Sequence, residues 1–174
     1  MNVYQSLIFA FAVAYLPLTI LVKRLVGVEW VYASNWVAMF KSIVVGMGGI
    51  AGLLGYMLGA ENLLPFLCTH GSIFGGFELF DIIQLCVRRR LRIDMVVHHL
   101  LQLALVFYWF HDKNPRHGPV SAALFSQEIS GTVLNAHLAI PSRPVWMMRP
   151  FAWCFLTWRV VFFSLFILLF PPTH

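Results

Sequence analysis

Apolar residues dominate this chain in six long runs, and each run is separated from the next by a short segment rich in charged, proline or asparagine residues. A helix that crosses a bilayer needs about 20 mostly apolar residues, because the hydrocarbon core is about 30 Å thick. The breaks contain residues that favour turns, among them Glu61-Asn62 and Pro141. The pattern therefore predicts an all-α, polytopic membrane helix bundle with six transmembrane helices: Val3–Val22, Trp36–Gly59, Leu63–Val87, Ile93–Phe110, Gly118–Ile140 and Pro150–Phe170.

Composition supports this interpretation. Hydrophobic residues make up 60% of the 174 residues and charged residues 11%, which is too apolar for a soluble domain of this size. The predicted connections are short, so neighbouring helices should pack antiparallel in a single domain covering residues 1–174. The run Val3–Val22 is long for a signal peptide and has no basic residue before it, so we expect it to remain as the first membrane helix.

Basic residues lie at the ends of the apolar runs and divide unevenly between the two sides of the predicted bundle. Nine follow the first, third and fifth helices: Lys23, Arg24, Lys41, Arg88, Arg89, Arg90, Arg92, Arg143 and Arg149. The opposite side carries Lys113 and Arg116. The positive-inside rule places the larger set in the cytosol, or in the matrix if the membrane is mitochondrial. Arg88, Arg89, Arg90 and Arg92 are thus predicted to form a basic cluster at the membrane surface, and the net charge of +5 does not indicate nucleic-acid binding.

Several polar side chains fall inside the predicted helices. An unpaired charge at the bilayer centre costs several kcal/mol, so we expect the ionisable groups to surround one internal pocket: Glu78, Asp81, Asp94, His98, His99, Glu128 and Arg159. We predict a polar pocket, suited to a lipid headgroup, formed by Glu78, Asp81, Gln102, Ser130, Asn135 and Arg159. The alternative is that ion pairs such as Glu128 or Asp81 with Arg159 only lock the helices together.

The most unusual polar positions are two adjacent histidines, His98 and His99, inside an apolar helix. Asp94 precedes His98 by four residues and therefore shares its helix face, whereas His99 points about 100° away. A histidine beside a carboxylate can act as base, acid or acyl carrier. If the protein is an enzyme, the candidate catalytic residues are His98, His99, Asp94 and Glu128.

Other chemistries receive less support from the sequence. Three cysteines, Cys68, Cys86 and Cys154, lie in apolar runs without a CxxC pair, so they predict neither a disulfide framework nor a metal site. Haem held by two histidines remains an alternative, with His98 or His99 opposite His70 or His137. No metal or cofactor is expected otherwise.

Four glycines in the second run, Gly48, Gly52, Gly55 and Gly59, form overlapping small-xxx-small spacings. In a membrane this spacing lets helix backbones approach closely. A nucleotide-binding loop is not indicated, because no strand precedes these glycines. They predict tight helix packing.

The region from about Gly71 to Phe166 resembles the TLC-domain family, which is named for homology among translocon-associated, ceramide-synthase and related proteins. The resemblance rests first on GGFELFDIIQLCVRRRLR at Gly75–Arg92, a helix with a Phe-x-x-Asp-like element before a basic turn. It continues with IDMVVHHLLQLALVF, which contains the His-His pair, and with GPVSAALFSQEISGTVLNAHLAI. Arg159 then falls in an aromatic-rich last helix, where the family often has an arginine.

The resemblance implies a lipid-handling bundle in the endoplasmic reticulum or another internal membrane. Ceramide synthases in the family are N-acyltransferases that use acyl-CoA and a long-chain base, and their motif continues to a pair of aspartates. This chain has Glu128 alone in that region, between Ser126 and Ser130, and so is more similar to the non-synthase branches. We therefore expect a lipid-binding or structural protein with no catalytic activity, whose partners are membrane lipids and other membrane-protein subunits.

Such a protein would suit an accessory role in a larger membrane complex, for example of the respiratory chain, which makes the mitochondrial inner membrane the alternative location. The alternative function is that of a lipid N-acyltransferase with acyl-CoA as substrate, working through the His-His pair.

Overall fold

The computed structural model describes residues 2–60, 62–87, 93–112, 118–162 and 164, and within these ranges the chain forms helices and no strand. The all-α prediction is confirmed. The helices are α1 (Val3–Val26), α2 (Trp30–Met57), α3 (Leu64–Val87), α4 (Ile93–Asp112), α5 (Gly118–Ser126), α6 (Glu128–Ala139) and α7 (Met148–Phe155). A 3₁₀ turn at Val145–Met147 precedes α7, and a π-helical segment at Leu156–Phe162 follows it. Three helices, α1, α2 and α3, are long and apolar enough to cross a membrane, in agreement with an integral membrane protein.

The ends of α1 follow local chemistry. Asn2 and Gln5 form a reciprocal capping box, in which the Gln5 N–H donates to Asn2 Oδ1 at 2.9 Å and the Asn2 N–H donates to Gln5 Oε1 at 2.8 Å. The helix extends four residues beyond the predicted end at Val22, because lysine and arginine are good helix formers. It ends before Gly27, whose φ of +69° is the left-handed conformation that favours glycine.

Helix α2 begins at Trp30, six residues before the predicted start at Trp36. Lys41 therefore lies inside α2, where only 7% of it is exposed, and does not belong to the connection after the first helix. Assigning Lys41 to the membrane surface was wrong. Without Lys41, eight basic residues of the sequence remain in the larger predicted set against two in the smaller, so the asymmetry predicted from the sequence remains.

Helices α2 and α3 form the centre of the bundle. Helix α2 contacts α1, α3, α5 and α6, and α3 also contacts α4. Helix α1 runs parallel to α3 and is tied to it by two hydrogen bonds: the Ser72 hydroxyl donates to the Tyr4 carbonyl at 3.1 Å, and the Tyr15 hydroxyl donates to the Ile73 carbonyl at 3.1 Å. The apolar core around these bonds includes Ile8.

Glycines on α2 allow the close approach of its neighbours. A Cβ atom added at Gly49 would lie 2.2 Å from the backbone nitrogen of Ser126 in α5. Gly48, Gly52 and Gly55 also face side chains of α3 or of the residue before it, so the packing prediction is confirmed for them. It is wrong for Gly59, which lies beyond the end of α2 with a φ of +73° and nothing close to its Cβ position.

The fifth predicted helix is interrupted at Gln127, which separates α5 from α6. Ser126 and Ser130, on either side of the break, donate hydroxyl hydrogen bonds to the carbonyls of Ala123 and Gln127, at 2.7 and 2.8 Å. Such bonds compete with the helical ladder and favour a local bend. The end of the sixth predicted helix at Phe170 lies outside the described residues, as do Arg88, Arg89, Arg90 and Arg92.

Candidate functional site: a buried ionic network

A lysine in the middle of α2 is the centre of the most polar region inside the bundle. Lys41 Nζ lies 2.8 Å from Oε2 of Glu128 and 3.5 Å from Oε1 of Glu78. The ammonium also lies over the rings of Phe74 and Phe77, 4.8 and 5.0 Å from their centroids. Two carboxylates and two aromatic faces thus surround this cation, and they replace the water that it loses on burial.

His99 extends the network from α3 to α4. Its Nδ1 is hydrogen bonded to Oε2 of Glu78, and its Nε2 lies 2.9 Å from Oδ2 of Asp81, although these two atoms are not aligned for a hydrogen bond. Glu78 and Asp81 are three residues apart and therefore share one face of α3. Each nitrogen of the imidazole thus has a carboxylate beside it, and only 7% of His99 is exposed.

Glu128, the first residue of α6, connects the network to the far end of the chain. Its Oε2 accepts a hydrogen bond from the Ser42 hydroxyl at 3.2 Å, and its Oε1 lies 3.7 Å from Nη2 of Arg159. The Arg159 Nε donates to the Ser130 hydroxyl at 3.0 Å, and the amide nitrogen of Asn135 donates to Ser42 at 3.2 Å. A single connected set of polar side chains thus joins α2, α3, α4, α6 and the π-helical segment.

The charges of the network nearly balance. Three carboxylates, on Glu78, Asp81 and Glu128, face the two permanent cations of Lys41 and Arg159. An imidazole can donate from both nitrogens only when it is protonated. A protonated His99 would therefore supply the third positive charge and make the network neutral, which is the inexpensive state in a medium of low dielectric constant.

A small cavity of about 100 Å³ lies beside the network. Its polar wall includes Glu128, Arg159, Gln102 and Gln127, and its apolar wall includes Phe74. This volume accommodates a few water molecules and is below the range of about 300–1,000 Å³ that is usual for small-molecule sites.

The structure brings together most of the polar residues that the sequence selected. Glu78, Asp81, His99, Ser130, Asn135, Glu128 and Arg159 belong to the network, and Gln102 lines the adjacent cavity. Asp94 and His98 do not join them, since both are exposed on α4. The expectation that all these groups surround one pocket is therefore wrong for these two residues. The reason is helical geometry: His99 faces α3, and the preceding residue is rotated about 100° away from it.

Sequence reasoning missed Lys41 and Ser42. The signal was present, because Lys41 stands between two apolar stretches, Trp36–Phe40 and Ile43–Val45, and a cation in such a position indicates a buried partner.

Two further histidines have described side chains, His70 on α3 and His137 on α6. His70 Nδ1 lies 2.9 Å from the carbonyl oxygen of Phe66, one turn earlier on α3. His137 is buried at the end of α6, remote in sequence from the histidine pair. Neither extends the ionic network.

No protein-family model, curated protein or solved structure matches this chain. The geometry of the network is thus the observation that bears on function.

Proposed function

We propose that this chain is a TLC-like integral membrane protein that binds lipid and has a structural role, as an accessory subunit of a larger membrane assembly, and that it is not an enzyme. The observation that carries this proposal is the position of His99, which is buried with a carboxylate beside each ring nitrogen. A general base or acyl carrier needs one nitrogen directed at substrate. The two carboxylates occupy both positions and instead join α4 to α3.

The other candidate catalytic groups support the same interpretation. Glu128 is held by Lys41, Ser42 and Arg159, which leaves it in the role of an ion-pair partner. His98, exposed on α4, faces away from this carboxylate network. A transferase centre would need these residues to converge on a reacting atom, and His98 and Glu128 do not.

We further propose that the bundle crosses the membrane six times. Helix α4 has 20 residues, which corresponds to about 30 Å at 1.5 Å per residue. Helices α5 and α6, separated by one residue, extend from Gly118 to Ala139, about 33 Å along the same path. Both lengths match the hydrocarbon core of a bilayer.

An acyl-transfer assay tests the non-enzymatic proposal. The purified full chain, incubated with acyl-CoA and either a long-chain amine or a glycerolipid, should form no amide or ester product, and yet it should retain lipid that is detectable by mass spectrometry. Transfer that disappears in His98→Ala or His99→Ala would instead establish the N-acyltransferase of ceramide-synthase type. Absence of any retained lipid would contradict the lipid-binding role.

The accessory-subunit role has its own test. The tagged chain, solubilised from its native membrane in a mild detergent, should migrate on a native gel with a complex larger than itself. Fractionation should place that complex in the endoplasmic reticulum, as the family resemblance suggests, or in the mitochondrial inner membrane. Migration as an isolated 20 kDa bundle in every mild detergent would contradict the proposal.

A further inference from the structure

An apolar groove of about 490 Å³ runs along the outer surface of the bundle between α1 and α3. Phe9, Val13 and Leu16 form its α1 wall, and Leu79 and Ile83 form much of its α3 wall. Its volume lies within the range of about 300–1,000 Å³ that is usual for ligand sites. The groove is separate from the ionic network, whose residues do not line it.

One end of the groove has the character of the membrane–water interface. Trp30, the first residue of α2, closes this end, and its indole N–H donates to Oε1 of Gln84 at 2.5 Å. Tryptophan is enriched where the hydrocarbon core meets the headgroups. The groove therefore extends from the membrane interior to headgroup depth.

The hydrogen bond from Trp30 fixes the orientation of the Gln84 amide. Because an indole nitrogen only donates, the atom that it meets must be the amide oxygen. The amide nitrogen of Gln84 is then left buried and has no acceptor among the described residues. This nitrogen has almost no accessible surface, so the Trp30–Gln84 pair closes the end of the groove and presents an almost entirely apolar surface to an occupant.

The α1 wall leads to two basic residues. Phe9, Val13 and Leu16 lie on one stripe of the helix, and at about 100° per residue Lys23 and Arg24 flank the same stripe two turns further on. Both are exposed in the last turn of α1. Glu29 is the acidic residue nearest to them in sequence, so this end of α1 remains net positive.

We propose that the groove binds an anionic glycerophospholipid. One acyl chain lies along Val13 and Ile83, and the phosphate and its anionic headgroup contact Lys23 and Arg24. The proposal deepens the lipid-binding role proposed above and rests on it, because it names the site and the class of lipid.

Native mass spectrometry of the full chain in detergent provides the test. The protein is titrated with phosphatidylglycerol and, separately, with phosphatidylcholine of identical acyl chains. We expect tighter binding of phosphatidylglycerol, and the variant Lys23→Gln/Arg24→Gln should remove that preference. Each basic residue near an anionic lipid contributes about 1 kcal/mol, so roughly fivefold weaker binding is expected for each charge removed.

Two tryptophan variants test the location. Val13→Trp puts a large side chain into the groove, so lipid binding should be lost. The fold should tolerate the substitution, because Val13 is 73% exposed. Leu21→Trp is the matched control, because Leu21 is 51% exposed and lies about 110° around α1 from the stripe.

The possible results separate this proposal from the broader one. If the protein retains lipid but Val13→Trp and Leu21→Trp bind it equally well, the groove is the wrong site and the lipid-binding role survives. Equal binding of the two lipids by the unmodified chain would refute the anionic preference. If no lipid binds at all, the proposed function fails together with this inference.

Discussion

Lys41 is the residue on which the interior depends most. Removing one member of a buried ion pair leaves the other charged and unpaired, which typically costs about 3–5 kcal/mol. Lys41→Met keeps most of the side-chain volume but leaves Glu78 and Glu128 facing each other without a cation between them. We expect a loss of stability of that size, measured by unfolding of the purified protein in detergent.

A second substitution, at one of the carboxylates that pair with Lys41, tests whether the lost stability comes from unpaired charge. Glu128→Gln in the Lys41→Met background should recover part of the lost stability, because it removes one of the two buried carboxylates that have lost their cation. Arg149→Met, at an exposed position of α7, provides the control for loss of a basic residue and should change stability by less than about 0.5 kcal/mol. If the Arg149 and Lys41 variants were equally stable, the network would contribute nothing to the fold.

The two adjacent histidines form a matched pair for a second prediction. His99→Ala removes the imidazole between Glu78 and Asp81, so it should lower the unfolding temperature and loosen α4 from α3. His98→Ala changes an exposed position one residue away and should be nearly silent in the same measurement. Equal effects of the two substitutions would mean that the burial of His99 is irrelevant to stability.

At the residue scale, the sequence identified the charged groups but not their partners. The energetic cost of a buried charge predicts that Glu78, Glu128 and Arg159 find partners. It does not say which partner each one finds, because Lys41 and Glu128 are 87 positions apart and the packing of α6 against α2 brings them together. Helix geometry predicts that the side chains of His98 and His99 point in different directions on α4. It does not predict which of the two faces the bundle interior.

Among the helices, boundaries set by capping chemistry or flanking turns were predictable and interruptions inside apolar runs were not. The starts of α1, α3 and α4 lie within one residue of prediction. The early start of α2 was missed because the sequence before Trp36 contains polar residues such as Ser34 and Asn35, although they lie within a helix. The break at Gln127 arises from serine hydroxyls that bond the backbone, and hydropathy alone does not reveal it.

The packing of α2 against α5 gives a prediction for whole helices. Gly49→Ala would put a Cβ atom 2.2 Å from the backbone nitrogen of Ser126, and a backbone cannot move as readily as a side chain. We expect α2 and α5 to separate, at a cost of about 1–3 kcal/mol or more. Gly55→Ala on the same helix is the control, because the atoms nearest to its added Cβ belong to the flexible side chain of Leu63. The unfolding temperatures of the two variants provide the comparison.

For the molecule as a whole, the testable quantity is the number of membrane crossings. In a background with Cys68, Cys86 and Cys154 replaced by alanine, single cysteines introduced at Glu29 and Ser142 should react with an impermeant reagent from the cytosolic or matrix side. Cysteines at Ala60 and Asn114 should react from the opposite side. The uneven distribution of basic residues motivates this orientation.

Errors in the crossings of α4 and of α5 with α6 have distinct labelling results. If α4 did not cross the membrane, the cysteine at Asn114 would change sides. If α5 and α6 together did not cross, the cysteines at Asn114 and Ser142 would react from the same side. Either result would overturn the six-span topology.

The order in which the chain is synthesised gives the position of Lys41 a further consequence. Glu78 emerges 37 residues after it, and Glu128 follows 87 residues after it. At synthesis rates of roughly 5–20 residues per second, the delay before Glu128 is made is about 4–17 s. Until α3 brings Glu78 to it, α2 carries a lone cation that lipid accepts only at a cost of about 2.5–3.5 kcal/mol, and Glu128 arrives later still. The insertion machinery must therefore shelter α2, or leave it loosely inserted, until the later helices arrive, and release into the bilayer becomes favourable only when the last carboxylate reaches Lys41.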